Sequence, residues 1–112
     1  LAAAGVEKKV LLRIGDAEKI VPTLDKMYDL VFIDADKRRY PEYYNLVFDK
    51  VKSGGYILAD NVLWDEKVAR TPMPADEYTR GIDNFNKLVQ NDSRVENLLL
   101  PFRDGLMIIR KK

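Results

Sequence analysis

Two short apolar runs that end on carboxylates set the strongest limit on what this chain can fold into. Leu30-Val31-Phe32-Ile33 leads into Asp34-Ala35-Asp36-Lys37, and Tyr56-Ile57-Leu58-Ala59 leads into Asp60-Asn61. Such runs are too short for helices and continuous rather than alternating, which predicts strands buried on both faces of a parallel sheet. Between them, from Arg39 to Val51, Tyr40, Tyr43, Tyr44, Val47, Phe48 and Val51 recur at i, i+3, i+4, i+7. That spacing predicts an amphipathic helix crossing over the sheet, ended by Ser53-Gly54-Gly55.

The flanking segments extend the alternation. Val10 to Ile14 is predicted to be an earlier strand, followed by a helix from Ala17 to about Lys26 that must hold Pro22 in its first turn or bend there. After Asp60-Asn61 a long loop runs through Leu63, Trp64, Pro72 and Pro74, and Ala75 to Gln90 reads as another helix with Ile82, Phe85, Leu88 and Val89 on one side. Val95 to Leu100 and Leu106 to Ile109, joined through Asp104-Gly105, predict an antiparallel hairpin. The expected fold class is therefore α/β, a mostly parallel sheet ending in an antiparallel hairpin. In such sheets ligands bind beyond the carboxyl ends of the strands, where both acidic clusters fall.

Leu1-Ala2-Ala3-Ala4-Gly5 reads as the last turn of a helix closed by glycine, and the first residue is not Met. The 112 residues are expected to be one portion of a single longer domain.

Composition removes most chemistries. The chain has no cysteine and no histidine, so thiolate or imidazole metal sites, disulfides and a histidine base are all excluded. Oxygen-ligand chemistry remains, with Lys, Asp, Glu or Tyr to carry protons. A net charge of +1 with both signs interspersed offers no basic stripe for nucleic acid. No apolar run approaches the roughly 18 residues of a membrane span, and no signal-peptide pattern opens the chain. A cytoplasmic protein is expected.

If the two acid-tipped strands are neighbours, about 4.8 Å apart, oxygens of Asp34, Asp60 and Asn61 can converge on one magnesium-like cation with positions left open. The competing account is local: Asp after a strand caps the next helix, and Asp-Asn forms an Asx turn. Two such clusters at equivalent strand ends favour the cation. Lys37 is by default a solvated charge in a first helical turn, yet beside a divalent cation it becomes a candidate base. The Tyr40, Tyr43, Tyr44 group is explained by helix packing, whereas Trp64 lies in a polar loop where a ligand-facing ring is as readily expected as a core one. Gly15-Asp16-Ala17 reads first as a tight turn with a capping aspartate.

The run from Tyr28 to Lys37, the run Gly54-Gly55-Tyr56-Ile57-Leu58-Ala59-Asp60-Asn61-Val62-Leu63-Trp64, the upstream Gly15-Asp16-Ala17 and the downstream Leu100-Pro101-Phe102-Arg103-Asp104-Gly105-Leu106 closely resemble the cation-dependent O-methyltransferases of the caffeoyl-CoA and catechol type. Nearly the whole chain is similar to the C-terminal half of that family's domain. The resemblance implies a Rossmann-like class I methyltransferase fold. It also implies S-adenosylmethionine as cofactor, with Mg2+ or alternatively Ca2+ or Mn2+, and a phenolic small molecule with a vicinal diol as acceptor. Carried over residue by residue, it makes Asp34, Asp60 and Asn61 metal ligands. Asp16, Ala17, Asp34 and Asp36 become cofactor contacts, Lys37 the catalytic base, and Trp64 and Asp65 part of the acceptor pocket.

The family's Gly-rich loop and its ribose-binding acidic residue have no counterpart in this sequence. The chain by itself is therefore expected to bind the cofactor poorly and to be inactive, the intact protein being the methyltransferase. An exposed sheet edge is expected to promote association, as a homo-oligomer and most simply a dimer. Two other functions compete: a receiver-like magnesium-binding signalling domain, and a nonenzymatic α/β scaffold in which the acidic clusters only cap helices.

Overall fold

The structure, a computed structural model, describes residues 2–112. Its elements in chain order are α1 (Ala17–Ile20), β1 (Tyr28–Ile33), α2 (Tyr40–Phe48), β2 (Val51–Asp60), α3 (Glu77–Gln90), β3 (Val95–Leu100) and β4 (Leu106–Lys111), with single 3-10 turns between several of them. The four strands form one sheet in the order β1-β2-β4-β3. β1 and β2 pair in parallel, while β4 runs antiparallel to both β2 and β3. The α/β class and the closing hairpin stand as expected.

The parallel share of the sheet is smaller than the sequence suggested, because Val10 to Ile14 is not a strand. It pairs with no other segment among the described residues, and Leu11, Leu12 and Ile14 are exposed. β-Branched, apolar sequence permits an extended strand, but only an adjacent free edge makes one. The helix expected over Ala17 to Lys26 is also cut short, giving a single α-turn and then a 3-10 turn over Val21–Thr23 with Pro22 inside it. Leu1, part of the expected helix end, lies outside the described residues. Ala2–Ala4 form a 3-10 turn, and Gly5 follows at φ 71°.

β1 is not buried on both faces. Ile33 is buried, but Leu30 and Phe32 are 55% and 56% exposed. The cause is one-sided cover: the alternate residues Ile57, Ala59, Met107 and Ile109 join Tyr44, Phe48, Ile82 and Phe85 in one core, while Tyr56 and Leu98 on the alternate positions stay exposed.

Ser53-Gly54-Gly55, expected to end the preceding helix, lies inside β2. Tyr28 pairs with Val51 but Leu30 pairs with Tyr56, so β2 bulges between these points, and Gly54 takes up φ 82° there. The helix itself ends at Phe48. α3 begins at Glu77 rather than Ala75, because Asp76 caps it by accepting from the Thr79 N–H at 2.9 Å and the Thr79 hydroxyl at 2.7 Å.

Candidate active site

The parallel register fixes the site. Ile33 pairs with Ala59, so Asp34 and Asp60 leave adjacent strands side by side at the same end of the sheet. Tyr40 ties the two strand ends together from above. Its ring is fully buried against Phe85, and its hydroxyl donates to the Asp60 carbonyl at 2.8 Å, with the Ile33 carbonyl 3.3 Å away. Burial raises the phenol's pKa even against the pull of the Lys37 charge.

Lys37 is not the solvated charge that its place in a first turn suggested. It is 8% exposed, and its Nζ donates to Asp34 Oδ1 at 2.8 Å and to the Tyr40 hydroxyl at 3.0 Å. Burial pulls its pKa down, but the hydrogen bonds to Asp34 and Tyr40 outweigh that, and the net shift is upward. A close backbone approach holds it in place: a Cβ on Gly81 of α3 would stand 2.3 Å from the Lys37 carbonyl oxygen. Only glycine lets α3 seat against this turn.

The other predicted residues divide between the site and local roles. Asp36 caps the Lys37–Arg39 turn through the Arg38 N–H at 3.0 Å and pairs with the Arg38 guanidinium at 2.7 Å, which holds its carboxyl below the ordinary pKa. Asp16 is exposed and caps α1 through the Glu18 N–H at 2.9 Å, as the tight-turn account expects. Ala17 and Asp34 line one apolar cavity of about 220 Å3 with Ile33, Ala35 and Tyr43.

Asn61 sits at φ 63°, with its N–H on Asp60 Oδ1 at 2.8 Å and its side-chain NH2 on Asp104 Oδ2 at 3.0 Å. Asp65 is exposed, and its N–H donates to the other oxygen of Asp104. Trp64 is half-buried, packs on the core and stacks with Tyr78 at 6.3 Å and 23°.

Tyr40 and Asp104 hydrogen-bond the candidate residues Lys37 and Asn61, contacts that the sequence did not reveal. Tyr40 was fully accounted for by helix periodicity, and Asp104 by the hairpin turn. The one available signal was a hydroxyl three residues after Lys37, at helical contact distance.

No three His, Cys, Asp or Glu side chains converge as a metal-holding group among the described residues. The predicted set consists of two carboxylates and an amide. Its donors suit a hard divalent cation, because all are oxygens and the Asn61 NH2 is already engaged by Asp104.

An α/β domain that gathers oxygen donors and a buried lysine at one end of its sheet is the class defined so far. The O-methyltransferase family model matches residues 1–112, and the chain belongs to that family. The caffeoyl-CoA O-methyltransferase of Medicago sativa is 38% identical over 122 residues, covering 96% of this chain and 48% of the relative. The SAH-bound methyltransferase PaMTH1 of Podospora anserina superposes with a TM-score of 0.86 at 32% identity, over 99% of this chain and 53% of that one. The O-methyltransferase TomG of Streptomyces achromogenes, solved in complex with SAM, gives a TM-score of 0.91 at 28% identity with the same coverage, 99% and 53%. The chain spans about half the length of the curated relatives it matches. No helix among the described residues is long and apolar enough to cross a membrane.

Proposed function

We propose that the intact protein is an S-adenosylmethionine-dependent and divalent-cation-dependent O-methyltransferase that acts on a vicinal-diol phenol. The observation that carries this reading is the β1–β2 register, which sets Asp34 beside Asp60-Asn61, with Lys37 Nζ on Asp34. Family membership and the cofactor-bound relatives support the methyl donor.

Asp34, Asp60 and Asn61 would hold the cation, which supplies a positive field that acidifies a bound hydroxyl. The charge of that cation would oppose the ammonium of Lys37 and lower its pKa, so that the neutral amine would take up the proton. Its Nζ makes two hydrogen bonds, to Asp34 and Tyr40, so the neutral amine can keep both hydrogens in place and direct its lone pair along the remaining direction. S-adenosylmethionine, when bound, would supply an electrophilic sulfonium methyl for the ionised acceptor oxygen, with S-adenosylhomocysteine as the leaving group, and the proton held on Lys37 would pass to solvent. The residues contribute alignment and a fixed electrostatic environment, with no covalent enzyme intermediate.

Asp16, Ala17 and Asp36 flank the cofactor side. Trp64, stacked on Tyr78, offers a flat wall for an aromatic acceptor with Asp65 at its rim. The sequence has no Gly-rich loop and no acidic residue placed to hold a ribose, which supports poor cofactor binding and inactivity for these residues alone. Exposed Leu11, Leu12, Leu30 and Phe32 favour burial against further protein, and association of copies belongs to the same proposal.

The test is methyl transfer from labelled S-adenosylmethionine to a panel of catechols by the intact protein. Transfer should require two adjacent hydroxyls, stop on addition of EDTA and return with excess Mg2+. Transfer that persists in chelator contradicts the proposal.

A further inference from the structure

We infer that Asp104, on the β3–β4 hairpin, is the positioning residue that turns the amide oxygen of Asn61 toward the cation. This rests on the cation-dependent reading above. A carboxylate only accepts hydrogen bonds, so the group of Asn61 that faces Asp104 Oδ2 at 3.0 Å must be its NH2. The amide is planar and carries its oxygen on the opposite side. Fixing the nitrogen therefore decides where the oxygen goes, and without the carboxylate the amide is free to rotate or flip.

The hairpin is built to keep Asp104 in that place. The Leu63 N–H donates to the Asp104 carbonyl at 2.9 Å, and the Val62 N–H donates to the Gly105 carbonyl at 3.2 Å. The second carboxylate oxygen accepts from the Asp65 N–H, so one side chain anchors both ends of the segment from Asn61 to Asp65. Along this stretch Asn61, Trp64 and Asp65 all have positive φ, at 63°, 50° and 55°. Such a backbone is held by its surroundings rather than by local preference. Asp104 thus couples the metal-side amide to the loop that carries Trp64.

Outer partners that orient metal ligands are worth about 10- to 100-fold in metal affinity. The test measures Mn2+ binding by electron paramagnetic resonance on the intact protein, with no methyl donor or acceptor present. Asp104→Ala should weaken binding by about 10- to 100-fold. In an Asn61→Ala background the same change should have little further effect, because its target is gone. Asp104→Asn should fall between, since its single amide oxygen can serve only one of the two N–H donors. It also carries the comparison if the alanine variant fails to fold.

Unchanged Mn2+ affinity in Asp104→Ala, or an equal loss with and without Asn61, overturns the inference and leaves the cation site standing. Wild-type protein that binds no Mn2+, or an Asp60→Ala variant that binds like wild type, overturns the cation-dependent reading itself.

Discussion

Lys37→Met is expected to lower kcat for methyl transfer by about 10²- to 10⁴-fold in the intact protein, the range for loss of a positioned general base, with little change in KM for the methyl donor. The expectation comes from where Nζ is held. Two hydrogen bonds fix it, at 2.8 Å to Asp34 and 3.0 Å to Tyr40, and the side chain has almost no exposure through which solvent could substitute for it. Methionine matches the stem's length and apolarity but cannot accept a proton. Arginine at this position should be equally inactive, because a guanidinium does not give up its charge at usable pH. Steady-state kinetics decides the matter, and a methionine variant that keeps more than half of wild-type turnover removes Lys37 from the mechanism.

A second large effect is expected far from the site. Asp92 accepts from the Arg94 N–H at 3.0 Å, from the Arg94 guanidinium at 2.9 and 2.8 Å, and from the buried Tyr44 hydroxyl at 2.8 Å. It also keeps Arg94 seated 3.8 Å above the Phe48 ring. Asp92→Ala leaves the Tyr44 hydroxyl buried without a partner and releases Arg94, which should cost about 2–4 kcal/mol. The hydrogen bonds from Arg94, reinforced by those from its backbone and from Tyr44, hold the Asp92 carboxyl well below the ordinary carboxylate range.

Because the folded-state pKa is depressed, the stabilisation is fully present above the unfolded value of about 3.9 and is lost as pH falls from there through the folded value. Urea unfolding should show a constant gap between wild type and Asp92→Ala from neutral pH down to about pH 4, then a narrowing gap below it. A gap that widens on acidification contradicts this account.

How much of this was legible in the sequence depended on whether an element carries its own determinants. α3 has a cap in Asp76 and a clean apolar stripe through Ile82, Phe85 and Val89, so its type and nearly its limits could be read directly. The β3–β4 hairpin was equally plain from Asp104-Gly105 between apolar runs. Val10 to Ile14 failed because strand formation depends on a neighbour, and sequence pattern cannot show whether an edge is adjacent. β1 looked buried on both faces for a related reason: hydropathy reports what a residue tolerates, and here helices cover one face only.

At the strand ends, Asp34, Asp60, Asn61 and Lys37 drew attention as candidates because they lack apolar periodicity. Tyr40 and Asp104 were hidden by the opposite circumstance. Each already satisfied a structural role, a buried helix position and a turn, and nothing in a periodic pattern reveals that a hydroxyl or a carboxylate serves a second purpose. Their contacts with Lys37 and Asn61 span 3 and 43 positions in sequence, the latter fixed only by the sheet order that brings β4 beside β2.

In the intact protein Asp34, Asp60 and Asn61 are expected to present their oxygens to one divalent ion at adjoining strand ends, and a direct test of this is available. Anomalous scattering from crystals of the intact protein grown with Mn2+ addresses it most directly. A single strong peak bounded by a carboxylate oxygen of Asp34, one of Asp60 and Oδ1 of Asn61 is the predicted result. Fully ordered side chains at all three positions with no peak between them, in crystals that hold Mn2+ elsewhere, would contradict it.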